Sequence, residues 1–301
     1  MTPDRLSDAD LDQSILYALG ALEPADLAIL EGRLGRGEPA LAAEVQRMQT
    51  VAALLGQAAV VTPPAALRQR LLDRLRTERV VVVIRAAQGE WRAGIVSGMR
   101  TKSLFLDEPG ARATSLVRMD PGARYPAHRH AGTEELYILE GTLIVEGHLL
   151  GAGDFCAAPE GTSHAPTWTD RGCTFLLTGS TDDAIVPELA SPSGGLIFVR
   201  VQDHDWRESA TPGVATRLIF KDVVRGTRTM LVRMAAGARL PQHHHATAEH
   251  IYMLEGDGRV GGVVLGAGDF YGAPEGTAHD TTWSAGGCTF LLMASRLEAV
   301  A

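Results

Sequence analysis

Apolar positions in the first 77 residues recur every three to four residues, which is the period of an α-helix. Ser7 and Asp10 form a capping-box pattern ahead of the first stripe. Pro24 and Pro39 precede the second and third stripes, where a first helical turn tolerates proline. The apolar stripes cover residues 11–19, 27–34, 41–55 and 67–75. They predict a helical domain that ends in a linker helix, over residues 1–77.

From about residue 80 onward, short apolar runs separated by glycine predict β-strands. This part of the chain repeats itself at an offset of 115 residues, since Leu-Val-Arg-Met at 116–119 recurs at 231–234. A period of that length indicates duplication of a whole domain, because solenoid units are shorter. Prolines and glycines between residues 187 and 195 mark the joint. We therefore expect domains at residues 78–186 and 187–301.

Composition excludes several classes of protein. The 301 residues are 45% hydrophobic, and no apolar run approaches the roughly 18 residues of a membrane helix. The formal net charge of −8 argues against direct binding of nucleic acid, which requires a basic surface. Three scattered cysteines without a CxxC pair suit a reducing cytoplasm. We expect a cytoplasmic protein that contacts neither membrane nor nucleic acid and binds a protein or small molecule.

The duplication carries a tetrad of three histidines and one glutamate in each copy. The first tetrad is His128, His130, Glu134 and His164, and the second is His243, His245, Glu249 and His279. The His-x-His pair places two imidazoles on one face of a strand. Three imidazoles and one carboxylate can bind a divalent metal and leave coordination positions open. We predict two metal sites, with zinc favoured over iron, manganese or nickel; packed core imidazoles are the alternative.

Residues outside the tetrads receive other predictions. Glu135 follows a predicted ligand, so strand alternation should point it away from the site. Cys156 is replaced by Tyr271 in the second copy and is expected to be a buried strand residue rather than a redox switch. No general base is evident, so no catalytic residue is assigned. The remaining histidines are expected on exposed faces or loops: His148, His204, His244 and His250.

The spacing around each tetrad resembles the two motifs of the cupin family. Both copies contain G-x5-H-x-H-x3-E-x6-G followed by G-x5-P-x-G-x2-H, from Gly122 to His164 and from Gly237 to His279. The asparagine that often ends the second motif is missing from both. This resemblance covers roughly residues 80–295 and implies two small β-barrels of the jelly-roll type, each with a central metal. With the helices, the predicted fold class is α+β and multidomain.

The helical region resembles the N-terminal domain of anti-sigma factors. Its matching segments are Tyr-Ala-Leu-Gly-Ala-Leu-Glu-Pro-Ala-Asp at 17–26, Leu-Glu-Gly-Arg-Leu at 30–34 and Ala-Glu-Val at 43–45. ChrR-type anti-sigma factors join this domain to a cupin, so the order of domains is similar. The zinc motif of that family, His-x3-Cys-x2-Cys, is absent, and we expect a zinc-free version. A generic helical appendage to the barrels is the alternative.

The two resemblances lead to two functional hypotheses. In the first, residues 1–77 sequester an extracytoplasmic-function sigma factor, and the metal-binding barrels sense a stress signal or a small-molecule ligand. In the second, the chain is a metal-dependent bicupin dioxygenase that acts on a small carbonyl or phenolic compound. The metal motif alone does not distinguish a sensor from an enzyme.

Overall fold

The computed structural model describes residues 6–58, 80–107, 110–187, 189 and 191–295. The chain divides into two compact units, residues 1–73 and residues 74–301. The predicted linker helix at residues 67–75 lies outside the described residues. Within those residues, no helix combines the length and the apolar character needed to span a membrane.

The first unit contains α1 (Asp8–Ala18), α2 (Pro24–Gly35) and α3 (Pro39–Ala58). The capping box forms as predicted, because the Asp10 backbone N–H donates to Ser7 Oγ at 3.2 Å and the Ser7 N–H donates to the Asp10 carboxylate at 3.0 Å. Arg33 joins α2 to α1 through Asp10 at 2.5 Å. Helix α1 packs against α3, which closes a small core. The fully buried residues of that core are Leu30, Leu41 and Val45.

Several large apolar side chains of this unit remain exposed. They are Ile15 (42%), Leu16 (41%), Leu19 (62%), Ile29 (58%) and Val51 (42%). The third predicted stripe therefore divides between two environments, because Leu41 and Val45 face the core whereas Val51 faces outward. The sequence pattern alone treats these positions as one apolar face.

The second unit is built from β-strands. Those before and within the first repeat are β1 (Val82–Ile84), β2 (Arg92–Ala93), β3 (Met99–Asp107), β4 (Arg112–Met119), β5 (Arg124–Tyr125), β6 (His128–Arg129), β7 (Glu134–Val145), β8 (His148–Gly151), β9 (Asp154–Ala158), β10 (Ser163–His164), β11 (Thr167–Trp168), β12 (Cys173–Ser180) and β13 (Ala184–Ile185). Those of the second repeat are β14 (Ile197–Arg200), β15 (Arg207–Glu208), β16 (Val214–Asp222), β17 (Thr227–Met234), β18 (Arg239–Leu240), β19 (His243–His244), β20 (Glu249–Val260), β21 (Val263–Gly266), β22 (Phe270–Ala273), β23 (Ala278–His279), β24 (Thr282–Trp283) and β25 (Cys288–Ser295). A short 3₁₀ turn, Val201–Asp203, follows β14.

Each repeat folds into an antiparallel barrel of the jelly-roll type. In the first barrel, the larger sheet runs β9-β7-β12-β4-β3-β2, and β10-β6-β13 form a smaller sheet. The second barrel repeats this order as β22-β20-β25-β17-β16-β15, with β19 paired to β23. The two predicted barrels are therefore present. The α+β class holds only loosely, because the described chain is mostly β with short helices near its start.

Gly141 and Gly256 lie within the long strands β7 and β20 rather than at their ends. The long strands β7 and β20 continue past them to Val145 and Val260. Both glycines have a positive φ, +75° and +76°. A Cβ on either would lie 2.1 Å from the carbonyl oxygen of the neighbouring loop, at Gly172 or Gly287. Each glycine therefore lets one strand bend without interruption and pass from one group of partners to another.

The two barrels exchange their edge strands. Strand β1 lies at the start of the first repeat but pairs with β22 of the second barrel, with Val82 opposite Gly272. Strand β14 lies at the start of the second repeat but pairs with β9 of the first barrel, with Ile197 opposite Ala157. The two pairings are equivalent at the 115-residue offset. Each barrel is therefore completed by the first strand of the other repeat.

A shared apolar core joins the two barrels. Aromatic rings from both repeats meet there, and the Phe155 and Phe220 centroids are 5.8 Å apart. Two polar contacts cross the same interface in equivalent positions. Thr229 donates a hydrogen bond to the Glu135 carboxylate, and the Thr114 hydroxyl lies 3.0 Å from Nδ1 of His250.

The position of His250 corrects one prediction. His148, His204 and His244 are exposed as expected, but His250 is only 5% exposed. Strand alternation turns His250 away from the tetrad, and in this molecule the opposite face of the strand packs on the other barrel. The same alternation confirms that Glu135 points away from the first tetrad, and it too is buried.

Candidate metal centres

The structure brings the four residues of each predicted tetrad together. In the first barrel, β6 carries His128 opposite His164 of β10, and Glu134 begins β7. In the second barrel, His243 of β19 lies opposite His279 of β23. One side-chain ligand atom from each residue of a tetrad lies within 4.8 Å of the others. Both clusters could therefore hold a metal ion.

Hydrogen bonds at the outer ring nitrogens orient the histidines of the first tetrad. His128 Nδ1 lies 3.1 Å from the carbonyl oxygen of Pro126, and His164 Nδ1 lies 2.7 Å from that of Ala165. His130 Nδ1 contacts both the carbonyl oxygen and the hydroxyl of Thr162 at 3.1 and 3.0 Å. A carbonyl oxygen only accepts hydrogen bonds, so each Nδ1 must carry the proton. The inner nitrogen, Nε2, then presents a lone pair to the centre in the neutral ring.

The second tetrad is oriented in a similar way. His243 and His279 donate from Nδ1 to the carbonyl oxygens of Pro241 and Asp280, at 3.3 and 2.8 Å. His245 Nδ1 lies 2.8 Å from the Thr277 hydroxyl. That hydroxyl donates its own proton to the Pro274 carbonyl at 2.6 Å, so it accepts from His245. Protein groups outside each tetrad thus fix which ring nitrogen faces inward, as is usual around protein metals.

The arrangement of donor atoms fits a cation. His130 Nε2 and His245 Nε2 are buried and have no hydrogen-bond partner among the residues that the structure describes. They lie 3.7 and 3.6 Å from the carboxylates of Glu134 and Glu249. In the tautomer fixed by the outer hydrogen bonds, each pair brings a lone pair against an anionic oxygen, which is unfavourable without a positive charge between them. A divalent ion at the centre would satisfy all four groups.

Ionisation of both carboxylates and of two of the imidazoles also suits metal binding. Burial would raise the pKa of Glu134 and Glu249, but hydrogen bonds and charge interactions with the neighbouring histidines lower it well below the usual range. Burial lowers the pKa of His164, and it lowers that of His245 to about 4. At neutral pH the carboxylates are therefore ionised and these two imidazoles are neutral, as ligands must be. A bound divalent metal would supply Lewis acidity and open coordination positions to a small molecule.

The first centre adjoins an internal cavity of about 70 Å³. His128, Glu134 and His164 form one side of it, and Cys156 lies at another. Burial, followed by the charge of Glu134, raises the pKa of the Cys156 thiol to about 12, so the thiol is protonated at neutral pH. This agrees with the prediction of a buried strand residue. Tyr125 approaches the site with its ring centroid 5.0 Å from that of His128.

The second centre has different surroundings. Tyr271 takes the place of Cys156 and is 2% exposed, inside the apolar core of its barrel. The side chain of His243 is 22% exposed, compared with 5% for His128. His243 and His279 border an outer cleft of about 410 Å³. The second centre is therefore accessible from an outer cleft, whereas packed apolar side chains lie on its inner side.

Sequence reasoning overlooked the threonines that orient the central histidines. Thr162 and Thr277 occupy equivalent positions, three residues after Pro159 and Pro274. A hydroxyl residue at the same place in both copies of the second motif was the available signal. Trp168 and Trp283 are half-buried and lie beneath arginine side chains, with Arg124 5.0 Å above Trp168.

Solved structures resemble the fold of this chain at low sequence identity. A candidate dioxygenase from Nostoc punctiforme is 15% identical with a TM-score of 0.63, covering 74% of this chain and 85% of that protein. A candidate glyoxylate-induced protein from Pseudomonas aeruginosa is 17% identical with a TM-score of 0.56, covering 71% and 88%. A mutant oxalate decarboxylase from Bacillus subtilis is 18% identical with a TM-score of 0.52, covering 71% and 77%. At this identity the likeness establishes the bicupin fold alone.

No curated protein matches the sequence significantly. The ChrR cupin-like domain matches it twice, at residues 79–181 and 195–298. These two ranges together make up more than half of the chain and contain both tetrads. The chain therefore belongs to the ChrR cupin-like family and carries two copies of its domain.

Proposed function

We propose that this protein is a cytoplasmic anti-sigma factor whose two barrels form a metal-dependent sensor. The N-terminal helices sequester an extracytoplasmic-function sigma factor, and each barrel binds one divalent metal, with zinc favoured. A stress signal or small ligand acts on the barrels and changes the affinity of the helices for the sigma factor. The order of a helical unit followed by ChrR cupin-like domains supports this proposal.

The main support for the proposal is the exposed apolar surface of the helical unit. Ile15, Leu16, Leu19, Ile29 and Val51 are all more than 40% exposed on a unit whose described core is small. Exposed large apolar side chains on a small domain are typical of a surface that binds another protein. Val45 lies in the core of this unit and supports the helices rather than forming part of the exposed surface.

Co-purification of the full chain with the sigma factor encoded by the neighbouring gene tests this function. Leu19→Asp and Ile29→Asp each place a charge on the exposed helical surface and should weaken the complex at least tenfold. Val224→Asp is the matched control, since Val224 is 88% exposed on the second unit. Absence of any complex with the wild-type chain would refute the anti-sigma role. Equal weakening by all three variants would refute the helical contact surface.

A metal-dependent dioxygenase is the second candidate. Two observations favour it: the likeness in fold to a candidate dioxygenase, and a tetrad that leaves metal coordination positions open. Oxygen consumption with small diketones or phenols is the direct assay, on protein loaded with iron(II) or manganese(II). Turnover that is abolished by His128→Ala or His243→Ala would establish the enzyme. An absence of turnover with either metal would leave the regulator as the better account.

A further inference from the structure

We propose that the two centres have diverged, so that the first barrel binds an exogenous small ligand at its metal whereas Tyr271 closes the corresponding space in the second. The ligand is a neutral diatomic or a monoanion that coordinates through one end. This inference rests on the proposed binding of metal by both barrels and names the barrel that takes the ligand.

The cavity of the first barrel lies directly beside the candidate metal centre. Glu134 and two histidines of the tetrad bound it on one side, so a molecule inside it would contact a metal ion held by them. Apart from Tyr125, Cys156 and Thr167, its other walls are apolar side chains. They are Met99, Met119, Leu136, Val145, Ala158, Phe175, Leu177 and Leu196.

The equivalent positions of the second barrel form a packed cluster. Each apolar wall residue of the first cavity has an apolar counterpart 115 positions away. Those counterparts are Val214, Met234, Ile251, Val260, Ala273, Phe290, Leu292 and Val81, and all of them belong to or pack against the cluster around Tyr271. A Tyr ring and hydroxyl therefore occupy a volume for which the first barrel has only the Cys156 thiol.

A second difference accompanies the tyrosine. Gly261 stands where the first barrel has Glu146, and a Cβ at Gly261 would lie 3.3 Å from the Tyr271 hydroxyl. That separation is tighter than most real contacts, so a side chain at this turn would press on Tyr271. The lack of a side chain at Gly261 thus leaves room for the Tyr271 hydroxyl in the second barrel. The first barrel combines Glu146 at the equivalent turn with the smaller Cys156.

Size and charge define the ligand. A volume of about 70 Å³ is about half that of an apolar cavity of about 150 Å³ that binds benzene, so the cavity admits about two to four non-hydrogen atoms. A divalent ion with one carboxylate carries a net charge of about +1, which favours a monoanion over a dianion among apolar walls. A neutral diatomic molecule meets the same limits.

Azide binding to the cobalt(II)-substituted full chain tests the assignment. His243→Ala isolates the first centre and His128→Ala isolates the second, so visible absorption of the cobalt reports on each centre separately. We expect azide to change the spectrum of the first centre and to bind the second at least tenfold more weakly. The double variant Cys156→Tyr/Glu146→Gly should abolish the response of the first centre. Tyr271→Cys should create one in the second, and Cys156→Ser should keep the wild-type response.

Each outcome decides the question. Equal azide responses at both centres, or a response at the second alone through the outer cleft, would overturn the inference while leaving the metal sites intact. A response that survives in the double variant would show that the cavity is not the binding place. Cobalt stoichiometry is measured first: fewer than two equivalents in the wild-type chain would refute the proposed metal occupancy itself, and the inference with it.

Discussion

The two barrels hold the same four ligand residues in different surroundings. Every ligand and the threonine beside its central histidine recur at the 115-residue offset. Around them, Cys156 beside a cavity is replaced by Tyr271 in a packed core, and the partly exposed His243 replaces the buried His128. Metal coordination restricts residue type and spacing, whereas the space behind the metal is free to change. Identical ligands therefore do not imply identical roles.

Removing one ligand from each barrel should have the largest effect. His128→Ala and His243→Ala should each lower bound metal from two equivalents to one, and the double variant should bind none. The reason is that each variant loses one of the four protein donors that would hold the metal. Metal analysis after gel filtration measures this. His244→Ala is the control, because His244 is exposed beside a ligand. Two equivalents retained in both single variants would refute the tetrads as binding sites.

The equivalent residues Glu135 and His250 should give the barrel interface opposite responses to pH. Burial raises the pKa of Glu135 to about 7 from 4.5, with a smaller contribution from Asp222, and the hydrogen bond from Thr229 only partly opposes it. Burial lowers the pKa of His250 to about 4 from 6.5. Since the unfolded carboxyl releases its proton first, Glu135 reduces stability as pH rises from 4.5 to 7. Since the unfolded imidazole gains its proton first, His250 reduces stability as pH falls from 6.5 to 4.

Glu135→Gln removes the first of these penalties. The variant should match the wild type near pH 4 and exceed its unfolding free energy by up to about 3 kcal/mol above pH 7. His250→Gln should instead flatten the loss of stability in acid. Denaturant melts across the pH range, in the metal-free state, measure both. A Glu135→Gln difference that does not vary with pH would contradict a protonated, buried carboxyl at this interface.

Substitution of the threonines beside the central histidines should weaken metal binding less, and by different amounts at the two centres. Within the described residues, His245 Nδ1 contacts only the Thr277 hydroxyl, whereas His130 Nδ1 also contacts the Thr162 carbonyl. Thr277→Val should therefore weaken metal binding at the second centre by about 10- to 100-fold, the usual effect of losing such a partner. Thr162→Val should cost less at the first centre, because the carbonyl remains. Competition with a metal chelator measures both, and equal losses would contradict this difference.

Sequence reasoning located the tetrads and the barrels because both depend on local spacing. Two residues along a strand return a side chain to the same face, so His128 and His130 converge whatever surrounds them. The same rule predicted that Glu135 points away from the site, but it does not reveal what lies on the far side. His250 was placed at the surface for that reason, and the neighbouring barrel covers it.

Features that depend on distant pairing were not accessible from the sequence. The apolar run at residues 80–84 predicts a strand but carries no signal for its partner, Phe270–Ala273, almost two hundred residues away. The third helical stripe likewise contains no mark that separates the core residue Val45 from the exposed Val51. The cavity beside Cys156 arises from side-chain volume on several strands, and the equivalent position in the second barrel carries Tyr271 within an apolar cluster.

The exchanged edge strands also bear on the origin of the chain. Val82 opposite Gly272 and Ile197 opposite Ala157 are one pairing seen twice, so the two repeats relate to each other as the halves of a twofold-symmetric pair would. Fusion of the genes of a strand-swapped homodimer would produce this arrangement. In such an ancestor every mutation alters both sites at once, whereas in the fused chain a cysteine can become a tyrosine in one half alone. A single chain that carries both halves thus lets each metal site change independently of the other.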